Sequence, residues 1–338
     1  MKRHMFTTKR LATIAVVSVL TAGIAATTTA GSQGSGFRGM AAVGRILQVS
    51  GGLIVNGVTY STTDARVSVD GQVGTLSQLQ PGDVVTINGS VSNDGTTAIA
   101  NEIAFVGDVR GVITASDAQN RTLTVMNQTV RLTDTTVVDA AAALAVGEAV
   151  EITGFANSAG ELVASRVEAQ GHAQKGQVRG TVAALDANGH TFQINSLLVD
   201  YDHAHVDGAL ADGASVVVES KSESVNGVLV AKSVDVSAPL GVAGEQGDLQ
   251  GIVTSFASAA EFDVNGQHVL GDEHTRYDLR NSLLGPDVEV IVSGRFNASG
   301  ALVADKVEIT SKAAKAQAKA AKAAQQAAKK NKEMTETG

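Results

Sequence analysis

The chain has 338 residues, 43% hydrophobic but only 3% aromatic, with 36 glycines, three prolines, no tryptophan and no cysteine. Its cores must rest on Val, Ile, Leu and Ala, and disulfides, thiolate metal sites and attachment through a lipidated cysteine are excluded. The net charge of −8 hides a basic start and a Lys-rich end around a body, 31–311, with 15 basic and 32 acidic residues; such a body repels a nucleic-acid backbone.

Residues 1–30 open with "MKRHMFTTKR", carrying Lys2, Arg3, Lys9 and Arg10, and continue into the apolar "LATIAVVSVLTAGIAA" and small residues. This is the pattern of a helical export signal, with cleavage expected near Ala26 or Ala30. A retained anchor is the alternative, because an apolar run of about 16 residues lies near the lower edge for spanning a bilayer. The chain is therefore expected to be exported, to the periplasm or outside the cell, with 31–43 as a linker.

Four related stretches follow, starting at Gly44, Gly111, Gly180 and Gly251, at spacings of 67, 69 and 71 residues. Each contains period-two runs such as "VVTINGSV" and "VEVIVSGRF", the signature of half-buried strands. The turns "NDG", "SAG", "VNG" and "ASG" end on Gly95, Gly160, Gly227 and Gly300. Such turns need a positive φ, which glycine adopts without strain. A sheet of this size cannot leave its apolar face exposed, and closure into a barrel solves the problem.

The predicted fold is all-β. Four tandem barrels of five to six strands occupy 44–107, 108–170, 176–238 and 247–311, strung as separate beads. The links "GHAQKG" at 171–176 and "APLGVAGEQG" at 238–247 join the later ones. Leu79, Leu144, Leu210 and Leu284 are expected to plug one end of each barrel. In "GELVASRVE", 160–168, simple alternation puts Val163 and Val167 on the core face, Leu162 at a rim and Arg166 toward solvent.

The pieces "VNG" (55–57 and 264–266), "LQPGDVVTINGSV" (79–91), "LAVGEAVEITG" (144–154), "GELVASRVE" (160–168) and "GALVADKVE" (300–308) carry a resemblance. The chain resembles the bacterial domain-of-unknown-function family 5666, which occurs as tandem copies in exported proteins. That family is similar to small barrels of the oligonucleotide- and oligosaccharide-binding type. The resemblance spans about 44–311 and brings no catalytic residues with it. The third stretch departs from it: "VVVESKSESVNG" lacks the glycine found at 89, 154 and 294, which implies a looser or differently bent barrel.

Chemistry-bearing residues are few. In "DYDHAHVD", 200–207, a strand would put His203 and His205 on one face with Asp207, a set that suits zinc, nickel or copper. The competing reading is a solvated strand face. The first two stretches have no histidine there, so a function common to all four cannot depend on imidazole. Asp64, Asp134, Asp202 and Asp272 recur in this zone and read as turn-forming residues rather than calcium ligands. Tyr60, Tyr201 and Tyr277 fall at matching places, either as a row of contacts or as the large side chain that closes each barrel. Val130 takes that place in the second stretch. No G-x-S-x-G, phosphate loop or H-E-x-x-H occurs.

The tail, 312–338, is rich in Ala, Lys and Gln and is expected to be a helical or disordered, solvent-exposed extension. Lys312, Lys315, Lys319 and Lys322 share one side of such a helix, and the alternative is a cationic handle for an anionic surface.

The sequence thus points to an exported, non-enzymatic repeat protein, a binding or spacing module of the cell envelope. Its expected partner is an envelope polysaccharide, peptide or protein and not nucleic acid, and no cofactor is expected. One alternative is a metal-binding envelope protein holding a divalent metal through His203, His205 and Asp207. Another is an envelope-polymer hydrolase with an unrecognised site.

Overall fold

The computed structural model describes residues 37–49, 52–92, 97–171 and 176–310. The expected signal helix and the Ala/Lys-rich tail lie outside the described residues. Those described comprise 26 strands and one 3-10 turn, Leu76–Gln78.

The strands fall into four segments. Segment 1 holds β1 (Phe37–Gln48), β2 (Leu53–Val55), β3 (Val58–Ser61), β4 (Arg66–Val69), β5 (Gln72–Gly74), β6 (Val84–Ser92) and β7 (Ala98–Phe105). Segment 2 holds β8 (Val109–Asp117), β9 (Thr122–Val125), β10 (Gln128–Arg131), β11 (Val137–Val138), β12 (Ala149–Ala156) and β13 (Leu162–Ala169). Segment 3 holds β14 (Gln177–Thr181), β15 (Ala183–Asp186), β16 (Thr191–Ile194), β17 (Leu197–Asp200), β18 (His205–Asp207), β19 (Ser215–Ser220) and β20 (Val228–Val236). Segment 4 holds β21 (Gln246–Ser258), β22 (Glu261–Val264), β23 (Gln267–Leu270), β24 (Arg276–Asp278), β25 (Glu289–Phe296) and β26 (Leu302–Ile309).

One pairing circuit recurs. In segment 1, β1 pairs β2, β2 pairs β3, β3 runs parallel to β7, β7 pairs β6, and β6 returns to β1. Segments 2 and 4 repeat it through β8-β9-β10-β13-β12 and β21-β22-β23-β26-β25. In segment 3 the first strand is broken between β14 and β15, around Val182, with Ala184 in the left-handed region. The order β15-β16-β17-β20-β19-β14 is otherwise the same.

The repeated hairpin differs from simple alternation. Thr153 faces Arg166, but Gly154 faces Ala164, so Ser165 is an extra residue, a β-bulge. The bulge shifts the phase of the strand. Leu162, Ala164 and Val167 all turn inward, while Val163 is only half-buried. The expected core face of Val163 and Val167 is corrected accordingly, and Leu162 belongs to the core rather than a rim. The same slip occurs in the other segments, leaving Asn101, Lys232 and Asp305 as the extra residues. Facing the bulge, Gly89, Gly154 and Gly294 have no room for a Cβ, which would come within 2.0–2.2 Å of a carbonyl oxygen across the hairpin. Segment 3 has Ser220 there, and its strand stops at that residue.

Val, Ile and Leu fill each core. Leu79 is buried, and Leu144, Leu210 and Leu284 pack half-buried against their own cores. Tyr60 is fully buried. Tyr201 lies 5.7 Å from Phe192 between ring centres, and Tyr277 packs on the segment 4 core while its hydroxyl donates to the Ala259 carbonyl at 2.8 Å. The tyrosines are packing residues and do not form an exposed row.

The expected separate beads are not what forms. The described residues belong to one compact unit. Met40–Val43 of β1 pair in parallel with Gln246–Leu249 of β21, so segments 1 and 4 share one 13-stranded sheet. Gln177 and Val178 of β14 pair with Arg110 and Val109 of β8, so segments 2 and 3 share another. Val84, Phe155 and Ile252 form a small apolar cluster joining segments 1, 2 and 4. The link after segment 3 is also held: Leu240 packs on the segment 4 core and the Gly244 N–H donates to the Phe296 carbonyl at 2.8 Å.

Candidate functional site: the junction of four segments

The junctions 1–4, 1–2 and 2–3 each contain a buried or half-buried carboxylate. Between segments 1 and 4, Asn56 Nδ2 donates to Asp248 Oδ1 at 2.8 Å and to the Val43 carbonyl at 3.0 Å. Asn56 can reach back this way because its positive φ places it at the tip of the β2–β3 turn. Beside it, Gln250 Oε1 accepts the Arg45 N–H at 3.0 Å, and Gln250 Nε2 donates to Glu289 at 2.7 Å. Between segments 1 and 2, Arg166 Nε lies 3.6 Å from Asp83 Oδ1, and Arg110 bridges Asp70 and Glu151. Arg166, expected in solvent, is half-buried at this junction. Between segments 2 and 3, Asp108 Oδ2 accepts the Gly154 N–H at 2.8 Å, and Arg179 Nη1 stands 3.7 Å from Asp108 Oδ1. Segments 2 and 4 meet where the Ser158 N–H donates to Asp287 at 2.8 Å.

Burial dominates the electrostatics of these groups. It pushes the Asp83 carboxyl up to about 6, against the Gln80 N–H and the Arg166 charge. It pushes Asp248 up to about 6 against the Asn56 amide. Asp108 and Glu151 are also raised by burial, opposed chiefly by Arg179 and Arg110 respectively.

The four segments enclose a cavity of about 870 Å³, a size that accepts a small ligand. Its apolar lining includes Val43, Val84, Phe155, Leu162 and Leu249. Its polar lining includes the hydroxyls of Thr86, Thr181, Ser215 and Ser237 and the amide of Asn88. Among the described residues, Asp108 and Arg179 are the only charged side chains in that lining. Such a surface can hold a polar molecule by hydrogen bonds, with one cation to orient it.

The residues singled out from the sequence lie elsewhere. His203 sits in the turn before β18, exposed, with Nδ1 3.3 Å from Asp202; the other Asp202 oxygen is 2.9 Å from His190 Nδ1. Strand alternation therefore does not put His203 on a face with His205. His205 and Asp207 are exposed on β18, beside Ser233 and Asp235 of β20. None of the three lines the cavity. Among the described residues, no group of three or more His, Cys, Asp or Glu is placed to hold a metal ion. The turn reading of the aspartates fits Asp272, whose carboxylate accepts the N–H groups of His274 and Thr275.

Sequence reasoning missed Asp108 and Arg179. They stand three residues before Gly111 and one before Gly180. The places matching Arg179 hold Val43, Arg110 and Gln250, so no repeated motif marks it, whereas Asp108 lies in a Gly-Asp-x-x-Gly run at 107–111 that recurs at 247–251 and could have been found.

Fold and junction together define a tandem β-repeat protein whose copies pack around a shared cavity. The family model described as "Domain of unknown function (DUF5666)" matches 43–104, 110–168 and 250–308, more than half of the chain, and the chain belongs to that family. The unmatched third segment is the one with Ser220 in place of the hairpin glycine. No curated protein matches the chain.

Proposed function

We propose that the chain is an exported, non-enzymatic binding module of the cell envelope, and that it holds its ligand where the four segments meet. The observation that carries this reading is the cavity of about 870 Å³, to which every segment contributes hydrogen-bonding side chains. Each segment is read as a small closed barrel of the oligonucleotide- and oligosaccharide-binding type. The circuit β1-β2-β3-β7-β6, closed on itself with one parallel pair, supports that reading. The basic and apolar start of the chain supports export. The acidic body favours a polysaccharide, peptide or protein partner over nucleic acid.

Calorimetry of the full chain against envelope polysaccharides, envelope peptides and divalent metals tests the proposal. A ligand bound by the parent and lost in a cavity-filling Asn88→Trp variant supports it. Binding indifferent to Asn88→Trp, or turnover of the ligand, overturns it.

A further inference from the structure

Arg179 is the one cation of the cavity lining among the described residues, and the fold holds its backbone there. Its backbone lies on β14, facing Val217 of β19, and its N–H donates to the Asp108 carbonyl at 2.6 Å. Its guanidinium is left with little to do. Nη1 stands 3.7 Å from Asp108 Oδ1, beyond hydrogen-bond length, and the buried Nε has no partner among the protein atoms. The other Asp108 oxygen, Oδ2, is taken by the Gly154 N–H at 2.8 Å.

Arg131 shows what a fully engaged guanidinium looks like in this fold. It gives Nε and Nη2 to the two oxygens of Glu161, each at 2.8 Å. That fork-on-carboxylate pairing is the geometry a guanidinium favours. Arg179 lacks that match: the one carboxylate beside it in the lining, Asp108, stands 3.7 Å from Nη1 and takes neither fork bond.

We propose that Arg179 anchors the free carboxylate of a short peptide in the cavity, with the surrounding hydroxyls and the Asn88 amide receiving the peptide backbone. This rests on the cavity being the binding site. A uronic sugar would offer the same carboxylate. Sugar rings, however, are held best against an open aromatic face, and the only aromatic in the lining, Phe155, is 4% exposed. The hydroxyls of Thr86, Thr181 and Ser215, and the Asn88 amide, match the alternating donors and acceptors of a peptide.

The test is calorimetry on the full chain with N-acetyltrialanine as the free acid, its C-terminal amide, glucuronate and acetate. The free acid is expected to bind at least about tenfold more tightly than the amide, and glucuronate no more tightly than acetate. Arg179→Lys, which keeps the charge but loses the fork, is expected to remove that tenfold preference. An unchanged thermal midpoint shows that the variant is folded. Equal binding of acid and amide, no binding of the acid, or an unaltered preference in Arg179→Lys overturns the anchor. Tighter binding of glucuronate than of the peptide acid overturns the peptide assignment. Acid and amide that bind alike, and are both lost in Asn88→Trp, would sink the anchor while leaving the cavity as the binding site.

Discussion

Gly154 and Ala164 face each other across the β12–β13 hairpin, and the Val163 carbonyl oxygen stands 2.2 Å from where a Cβ on residue 154 would lie. The obstacle is backbone, which cannot rotate aside as a side chain can. Gly154→Ala must therefore break the bulge or spread the hairpin. A loss of about 3 kcal/mol or more in chemical denaturation is expected. Gly294→Ala should behave alike, because its Cβ would meet the Val303 oxygen.

The bulge at Ser165 makes a second prediction. Val167 is fully buried, whereas Val163 keeps partial exposure. Val167→Ala should cost about 2–3 kcal/mol and Val163→Ala under about 1 kcal/mol. Equal costs in denaturant titrations would contradict the phase shift.

Stability should also depend on pH in a definite direction. Asp83 and Asp248 have an ordinary value near 3.8 and are pushed up to about 6 in the folded chain. The folded state thus holds these protons more tightly than the unfolded one. Their contribution is complete below about pH 4 and is lost as pH rises through 6. Each contributes about 1–3 kcal/mol on the scale of about 1.4 kcal/mol per pKa unit. Glu161 and Glu308 act oppositely: hydrogen bonds from Arg131 and Lys306 hold them low, so their contribution fades in stronger acid. The melting temperature should be higher at pH 5 than at pH 7.5. Asp83→Asn should flatten part of that slope, and a slope unchanged in the variant would count against the assignment.

The sequence carried the strands and turns because glycine and period-two runs are local signals. "SAG" and "ASG" end in positive-φ glycines at Gly160 and Gly300, as expected. For the tyrosines the sequence offered two roles, contact row or barrel closure, and Tyr60 takes the second, fully buried in the segment 1 core. The Ser165 bulge was not readable from the strand alone. Alternation assigns Val163 and Val167 to one face, and only the Gly154–Ala164 pairing shows the extra residue. The junctions were hidden for another reason. Asp83, Asp108, Asp248 and Arg166 sit in repeated runs that read as turns and strands, nothing repeated marks Arg179, and partners such as Asn56 and Asp248 lie 192 residues apart. Their burial follows from how the segments pack, which no local pattern records.

The central claim is that the segments form one body around a shared cavity. With no native cysteine in the chain, one disulfide tests it directly. Met40 and Gln246 are paired neighbours on β1 and β21, within the reach of a disulfide. Mild oxidation of a Met40→Cys, Gln246→Cys double variant should give one intramolecular cross-link in nearly every monomer, read by mass and by gel mobility. Free thiols or cross-linked dimers would mean that segments 1 and 4 do not meet in solution, and the shared cavity would fall with them.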